Sequence, residues 1–230
     1  MFQGVIKLLI LEENLKTLYP NSKFGVLIIK DVENPSTNSE FNKTKLLVRE
    51  QLLGQYQNYN RKDFTKSEPV YFYTNYYKKF RKTYPVQLQL ESIITKGNSL
   101  PNTAALVEAM FVAELKNLLL TAGHDLDKIE FPIKLSLGKG NENFIGISEK
   151  EQFLTKNDMM LCDSKGIMSS ILNGPDSRTQ ITKDTKNVMF FVYTPGGIGD
   201  DIIRNHLYDI KSYVSVFSPN SKTDLLEVFK

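Results

Sequence analysis

"AALVEAMFVAELKNLLLTAG", from Ala104 to Gly123, decides how the rest of the chain is read. Wound as a helix it is apolar around nearly its whole circumference, which predicts a central buried helix rather than a surface one. The preceding "LPN" offers Asn102, or Thr103 just after it, as an N-cap. Gly123 offers a stop. Upstream the patterns are chiefly helical, and downstream they are strands and turns.

Upstream, "KFGVLIIKDVEN" (Lys23 to Asn34) is a β-branched run closed by Asn34-Pro35 and reads as a buried strand. "KTKLLVREQLLGQY" has helical spacing at Leu46, Leu47, Leu52 and Leu53, and the polar region Gln55 to Ser67 reads as solvated. "YFYTNYYKKFRKTYP" (Tyr71 to Pro85) resembles a nucleic-acid patch at first sight. On a helical wheel Tyr73, Tyr76, Tyr77, Phe80 and Tyr84 share one stripe about 100° wide, the width of a core-facing side. Lys78, Lys79, Arg81 and Lys82 fall outside that stripe and form a basic outer face able to touch RNA phosphates. Pro85 suits the first position of a further helix, which Lys96-Gly97 ends. The N-terminal "MFQGVIKLLILEEN" is broken by Lys7 and lacks a small-residue cleavage site, so it reads as a strand and not a signal peptide.

Downstream, "DKIEFPIKLSLGKG", "ENFIGIS", "MMLCDSKGIMSSILNGPDS" and "NVMFFVYTPGG" are short apolar runs separated by Gly, Asn and Asp. "DDIIRNHLYDIKSYVSVF" (200–217) is a C-terminal helix with Asp200 and Asp201 where carboxylates suit the dipole. "TPGGIGDD" is not a phosphate loop, because it lacks the Lys after the glycines and starts its helix with two carboxylates. Helices and strands come in blocks, which predicts an α+β fold. The expected form is one domain over 1–230, with a mostly antiparallel or mixed sheet packed with helices around the central one.

The 230 residues are 41% hydrophobic and 24% charged, with a net charge of +3 that permits an RNA partner without demanding one. A single cysteine, Cys162, excludes an internal disulfide framework and fits a reducing cytoplasm. His124 and His206 lie far apart, so no zinc spacing exists, and no cofactor motif is found. No apolar run approaches the roughly 18 residues of a membrane span.

Candidate chemistry follows from polar residues in apolar surroundings. Glu114 sits among Val107, Met110, Phe111 and Leu118 on the wheel, with Asn117 near it and Glu108 a turn and a half before. A buried carboxylate needs a partner, for which Lys116 or Arg178 would serve, or else is functional with a shifted pKa. In "GHDLD", His124 is a candidate general base, and Asp125 or Asp127 a cap for the next turn. "NGPDSRT" (Asn173 to Thr179) reads as a hairpin turn that concentrates Asp176, Arg178 and Thr179.

The order of "YPNSKFGVLIIKDVEN", "YKKFRKTYP", "LPNTAALVEAM", "GHDLDKIEFPIKLSLGKGNENF" and "ILNGPDSRTQITKDTKNVMFFV" resembles a free-standing B-three/B-four domain, the editing domain of the phenylalanyl-tRNA synthetase beta subunit. The likeness runs over about 18–192, and its most specific pieces are "DLDKI" and "TKDTKN". It implies an α+β domain with a pocket beside the central helix that hydrolyses a non-cognate aminoacyl ester on tRNA. The partners implied are tRNA and the amino-acid moiety it carries, in the cytoplasm, and the chain is not a complete tRNA ligase. Glu114, His124 or Asp176 would then orient a water, and Glu108, Asn117, Arg178 or Thr179 would hold the substrate. Lys78, Lys79, Arg81 and Lys82 would contact RNA. The histidine of the synthetase pocket matches Ala122, and its acidic residue matches Pro175. The Asn and Asp of many free-standing members match Ala104 and Glu108. The alternative is a non-catalytic module that binds tRNA or an amino acid.

Overall fold

A computed structural model describes residues 9–230. β1 (Leu9–Leu11) is the described part of the expected N-terminal strand, and the rest of that expectation, residues 1–8, lies outside the described residues. After α1 (Glu13–Leu18) comes β2 (Lys23–Lys30), whose β-branched interior is buried throughout. The helical block follows: α2 (Ser39–Gln55), α3 (Arg61–Phe64), α4 (Val70–Lys79), α5 (Pro85–Ile94) and α6 (Ala105–Asn117). The strand block is β3 (Leu120–Asp125), β4 (Ile133–Leu137), β5 (Asn143–Ile145), β6 (Glu151–Phe153), β7 (Met159–Cys162), β8 (Ile167–Ser170), β9 (Gly174–Pro175) and β10 (Val188–Thr194). α7 (Asp200–Phe217) and β11 (Lys222–Phe229) close the chain.

The strands form a five-stranded sheet ordered β1-β4-β7-β8-β9, a four-stranded sheet ordered β11-β2-β10-β3, and the β5-β6 hairpin. β1 runs parallel to β4, and the other pairs are antiparallel. The fold is therefore α+β with mixed sheets, as expected from the block order. β10 is buried along its whole length because both faces of its sheet are covered. One face takes α7, which comes so close that a Cβ on Gly25 would lie 2.7 Å from Ile203 Cγ2. The other face meets β8, where Ser169 reaches both His124 and Tyr193.

The central helix is buried as predicted, but it is shorter than predicted. It ends at Asn117; Leu118 turns left-handed (φ 57°), and Leu120 to Asp125 pair with β10 as strand β3. When every position is apolar, hydrophobicity does not separate a buried helix from a buried strand. The helix also takes no cap from Asn102 or Thr103. Ala104 is the N-cap residue, and Asn34 Oδ1 accepts the Leu106 N–H at 2.9 Å from across the fold.

Three further expectations change. On α2, Leu52 is buried as its spacing suggests, but Leu46 and Leu47 are 61% and 60% exposed, and Phe41, Lys45 and Val48 complete the buried side. The Gln55–Ser67 region is not simply solvated: Asn60 caps α3, and Tyr56, Tyr59 and Phe64 form an edge-to-face cluster. α4 ends at Lys79, so Tyr84 sits in the bend before α5 rather than on one long helix. The aromatic stripe still holds, because Tyr73, Tyr76, Tyr77 and Tyr84 are buried and Phe80 packs against the core. Pro85 is the first residue of α5, where its missing N–H costs nothing.

Candidate functional site

A cavity of about 260 Å³ lies between β3, the last strand of its sheet among the described residues, and the β8–β9 turn. Leu120, Thr121 and Ala122 form one side, Ser170 to Pro175 the other, with Tyr193 and Pro85 completing the wall. Alternation along β3 sends Ala122 and His124 to the same face of the sheet. Ala122 lines the cavity, and His124 reaches on to Ser169 of β8. Only the start of "NGPDSRT" belongs to a turn: the turn is Ile171 to Asn173, Ser170 pairs with Gly174 (φ 75°) as β9 begins, and Asp176 to Thr179 lie beyond it.

The turn is held by α4. Tyr77 donates from its OH to the Ile171 carbonyl at 2.7 Å. Tyr76 donates to Asp158 Oδ1 at 2.7 Å, and Asp158 Oδ2 accepts the Leu172 N–H at 3.3 Å. Burial raises the Asp158 carboxyl to about 6, even though these hydrogen bonds oppose the shift. The tyrosines of the aromatic stripe thus position the cavity rather than stack on bases.

Behind the wall runs a hydrogen-bonded chain whose direction is fixed by its acidic end. Thr179 donates from its hydroxyl and its backbone N–H to Asp176 Oδ1. Its oxygen is then left to accept from His124 Nδ1–H at 2.8 Å. His124 Nε2 accepts from the Ser169 hydroxyl at 3.2 Å, and Ser169 accepts from the Tyr193 OH at 2.7 Å. Burial, reinforced by the Arg178 charge, depresses His124 to about 3, so the ring is neutral at physiological pH. Burial also raises Asp176, against the pull of Thr179 and Arg178.

Arg178 forks onto Asp163 with two bonds of 2.9 Å and also donates to the Lys128 carbonyl. Its Nε lies 3.5 Å from Asp176 Oδ2. The structure therefore gathers His124, Asp176 and Thr179 as a buried set that does not line the cavity, with the half-buried Arg178 against Asp176 on its outer side.

The other candidates sit elsewhere. Glu114 pairs with neither Lys116 nor Arg178; it accepts the Thr121 backbone N–H at 2.6 Å, and burial pushes it up to about 8. Asn117 donates to Asp209 at 2.8 Å and lies 3.3 Å from His206 Nδ1. Since Asp209 fixes the amide orientation, His206 carries its proton on Nε2, 2.7 Å from the Thr121 hydroxyl. Glu108 is bonded to Lys45 at 2.5 Å and to the Thr103 N–H at 2.6 Å, which ties α6 to α2. Lys78, Lys79, Arg81 and Lys82 are at the surface, with Lys79 Nζ 4.5 Å from the Tyr19 ring centroid.

Ser169, Ser170 and Tyr193 carry no signal in the sequence, because only strand register decides which way the hydroxyl of a strand points. His206 carries a weak one, being one of only two histidines. The two positions that the resemblance assigns to editing groups, Ala122 and Pro175, both line the cavity. Ala104 and Glu108 are at the start of α6, away from it.

Residues 69–198 match the family model described as the B3/4 domain. Over 69 residues, 30% of this chain, the sequence is 33% identical to the phenylalanine--tRNA ligase beta subunit of Mycoplasma genitalium, and the match covers 9% of that relative. An N-terminal fragment of the phenylalanyl-tRNA synthetase beta subunit from Pyrococcus horikoshii superposes with a TM-score of 0.49 at 15% identity. That superposition covers 96% of this chain and 53% of the other, so the chain spans about half of that fragment.

Proposed function

The chain belongs to the B3/4 domain family, and from that premise we propose that it acts in trans on aminoacyl-tRNA, taking the aminoacyl group into the cavity and hydrolysing its ester. The observation that carries this reading is the cavity itself: about 260 Å³ of mostly apolar space walled in part by Leu120, Ala122, Leu172 and Pro175, with Asn173 as a polar group on the turn side. Such a lining suits one amino-acid side chain with its α-amino group at the polar side. An aminoacyl ester is already reactive, so holding it beside an oriented water supplies much of the required acceleration. In this reading the Asn173 amide oxygen and the outer main chain of β3 hold the ester and the water, while Ser170, whose Oγ accepts the Asn173 N–H, fixes the turn.

His124 and Asp176, as candidates for orienting the water, act through Thr179 and Ser169 on Tyr193, the member of the chain that lines the cavity. Glu114 acts through the Thr121 N–H, and Arg178 through Asp163. Asn117 and Glu108 fix α6 against α7 and α2. Residues 1–230 would work as one B3/4-like unit, in the cytoplasm with its tRNA. No described helix is long and apolar enough to cross a membrane.

The test is a panel of mischarged tRNAs incubated with the pure protein, comparing the native chain with Ala122→Phe, which fills the cavity from its β3 side. The expected result is ester hydrolysis above buffer for at least one tRNA, lost in Ala122→Phe while its thermal transition stays cooperative. No hydrolysis on any tRNA rejects the reading.

One observation favours a second reading. Ala122 and Pro175 carry no acid or base, and the buried histidine is neutral and tied at both nitrogens. A module that binds an amino-acid-like group without cleaving it would show a thermal shift with free amino acids and no deacylation.

A further inference from the structure

Away from this cavity, a groove of about 560 Å³ runs between the C-terminal end of α4 and the Thr155–Asn157 loop. Lys79, Arg81 and Lys156 line it, and no carboxylate among the described residues does. Nor does any described carboxylate form an ion pair with these three cations. The groove is built rather than incidental. Tyr19 OH donates to the Asn157 carbonyl at 3.1 Å and joins its walls, while Lys79 is held over the Tyr19 ring.

The backbone adds an independent observation. α4 closes with paired bonds from Arg81 N–H to Lys78 C=O and from Lys82 N–H to Tyr77 C=O, both 3.0 Å. This closure requires a left-handed residue, for which glycine is the unstrained choice. Arginine stands there at φ 57°. Strained non-glycine positions concentrate where a side chain is used.

We propose that this groove binds the phosphodiester backbone of single-stranded RNA, with Lys79, Arg81 and Lys156 on successive phosphates. The inference rests on the reading of tRNA as the partner, and it goes further by placing the contact at a defined groove rather than on the whole basic face. Tyr19 is buried and Phe80 packs into the core, so base stacking contributes little, and recognition is independent of sequence. The groove shares its supports with the cavity: Asn157 precedes Asp158, whose carboxylate holds Leu172 of the cavity turn.

The test measures binding of a short labelled, uncharged single-stranded RNA by fluorescence anisotropy across a salt series. Arg81→Gly relieves the backbone strain, so it should melt no lower than the native chain while its salt slope falls by about 1. Lys156→Glu should weaken binding by about tenfold. Lys78→Glu, which changes an exposed lysine outside the groove, should have a smaller effect. The proposal is overturned if Arg81→Gly and Lys156→Glu bind like the native chain, or if Lys78→Glu weakens binding as much as Lys156→Glu. It is also overturned if inorganic phosphate at equal ionic strength displaces the RNA, which would mark a simple anion site. Because the RNA carries no aminoacyl ester, a negative result here leaves deacylation standing, and absent deacylation leaves the groove standing.

Discussion

At the scale of single residues, Glu114 shows how a burial read from sequence becomes a measurable charge effect. A helix apolar all round puts its carboxylate in the core, and the amino-acid pattern alone says so. The pattern does not reveal its partner, because the Thr121 N–H comes within reach only after Leu118 turns left-handed and sends the chain back along the helix. With the carboxyl at about 8 against an unperturbed 4.5, the folded state keeps a proton that the unfolded state releases between those values. Stability from this group therefore declines as pH rises through that window, by up to about 1.4 kcal/mol per unit. Glu114→Gln keeps the oxygen that accepts Thr121 N–H and removes the titration. Chemical denaturation at pH 6.5 and pH 8 should show the native chain losing about 1–2 kcal/mol relative to the variant. Parallel pH profiles would mean that Glu114 is ionised in the folded protein. The two buried histidines act in the opposite sense: each is depressed to about 3, so each removes stability as pH falls below 6.5.

At the scale of elements, the chain is legible wherever one face differs from the other. The α4 stripe, the Pro85 start of α5 and the 200–217 helix all follow from such asymmetry. The run from Ala104 to Gly123 defeats the helical reading halfway because both of its parts are buried on all sides, and only pairing with β10 makes the second part a strand. β11 leaves no strand pattern to find. It is a half-exposed edge strand carrying Lys222, Asp224 and Glu227, charges that protect an edge and also disguise it as loop. The end of α4 carries an element-scale prediction. A residue with a Cβ in the left-handed region loses about 1–2 kcal/mol relative to its preferred conformations. Glycine gives part of that back as unfolded-state entropy. Arg81→Gly should therefore gain up to about 1 kcal/mol in urea denaturation. A loss would show that the Arg81 side chain supports the fold itself.

At the scale of the molecule, segments far apart in sequence make one support for the cavity. "DLDKI" and "TKDTKN" are specific as a pair because they bond to each other: Asp125 accepts from Thr185, and both Asp127 oxygens accept from Asn187. That clamp sets the β3 end, so the sequence carries the site's frame more plainly than the cavity wall. Tyr76 links the remaining parts. Its OH donates to Asp158 and accepts the Met159 N–H at 2.8 Å, while Asp158 holds Leu172 on the cavity turn. Tyr76→Phe keeps the ring in the core but leaves the Met159 N–H without its acceptor and Asp158 Oδ1 without the tyrosine hydroxyl. An orphaned buried donor costs about 1–3 kcal/mol. Because the bonds are local to one end of the cavity, the effect should be local as well. Hydrogen exchange in the Tyr76→Phe variant should quicken at Leu172 and Asn173. At β11, on the far edge of the other sheet, it should match the native chain once corrected for global stability. Uniform acceleration across both regions would mean that Tyr76 stabilises the whole fold and does not specifically brace the turn. Unchanged exchange at Leu172 would break the link between α4 and the cavity, and with it the structural route from the RNA groove to the site.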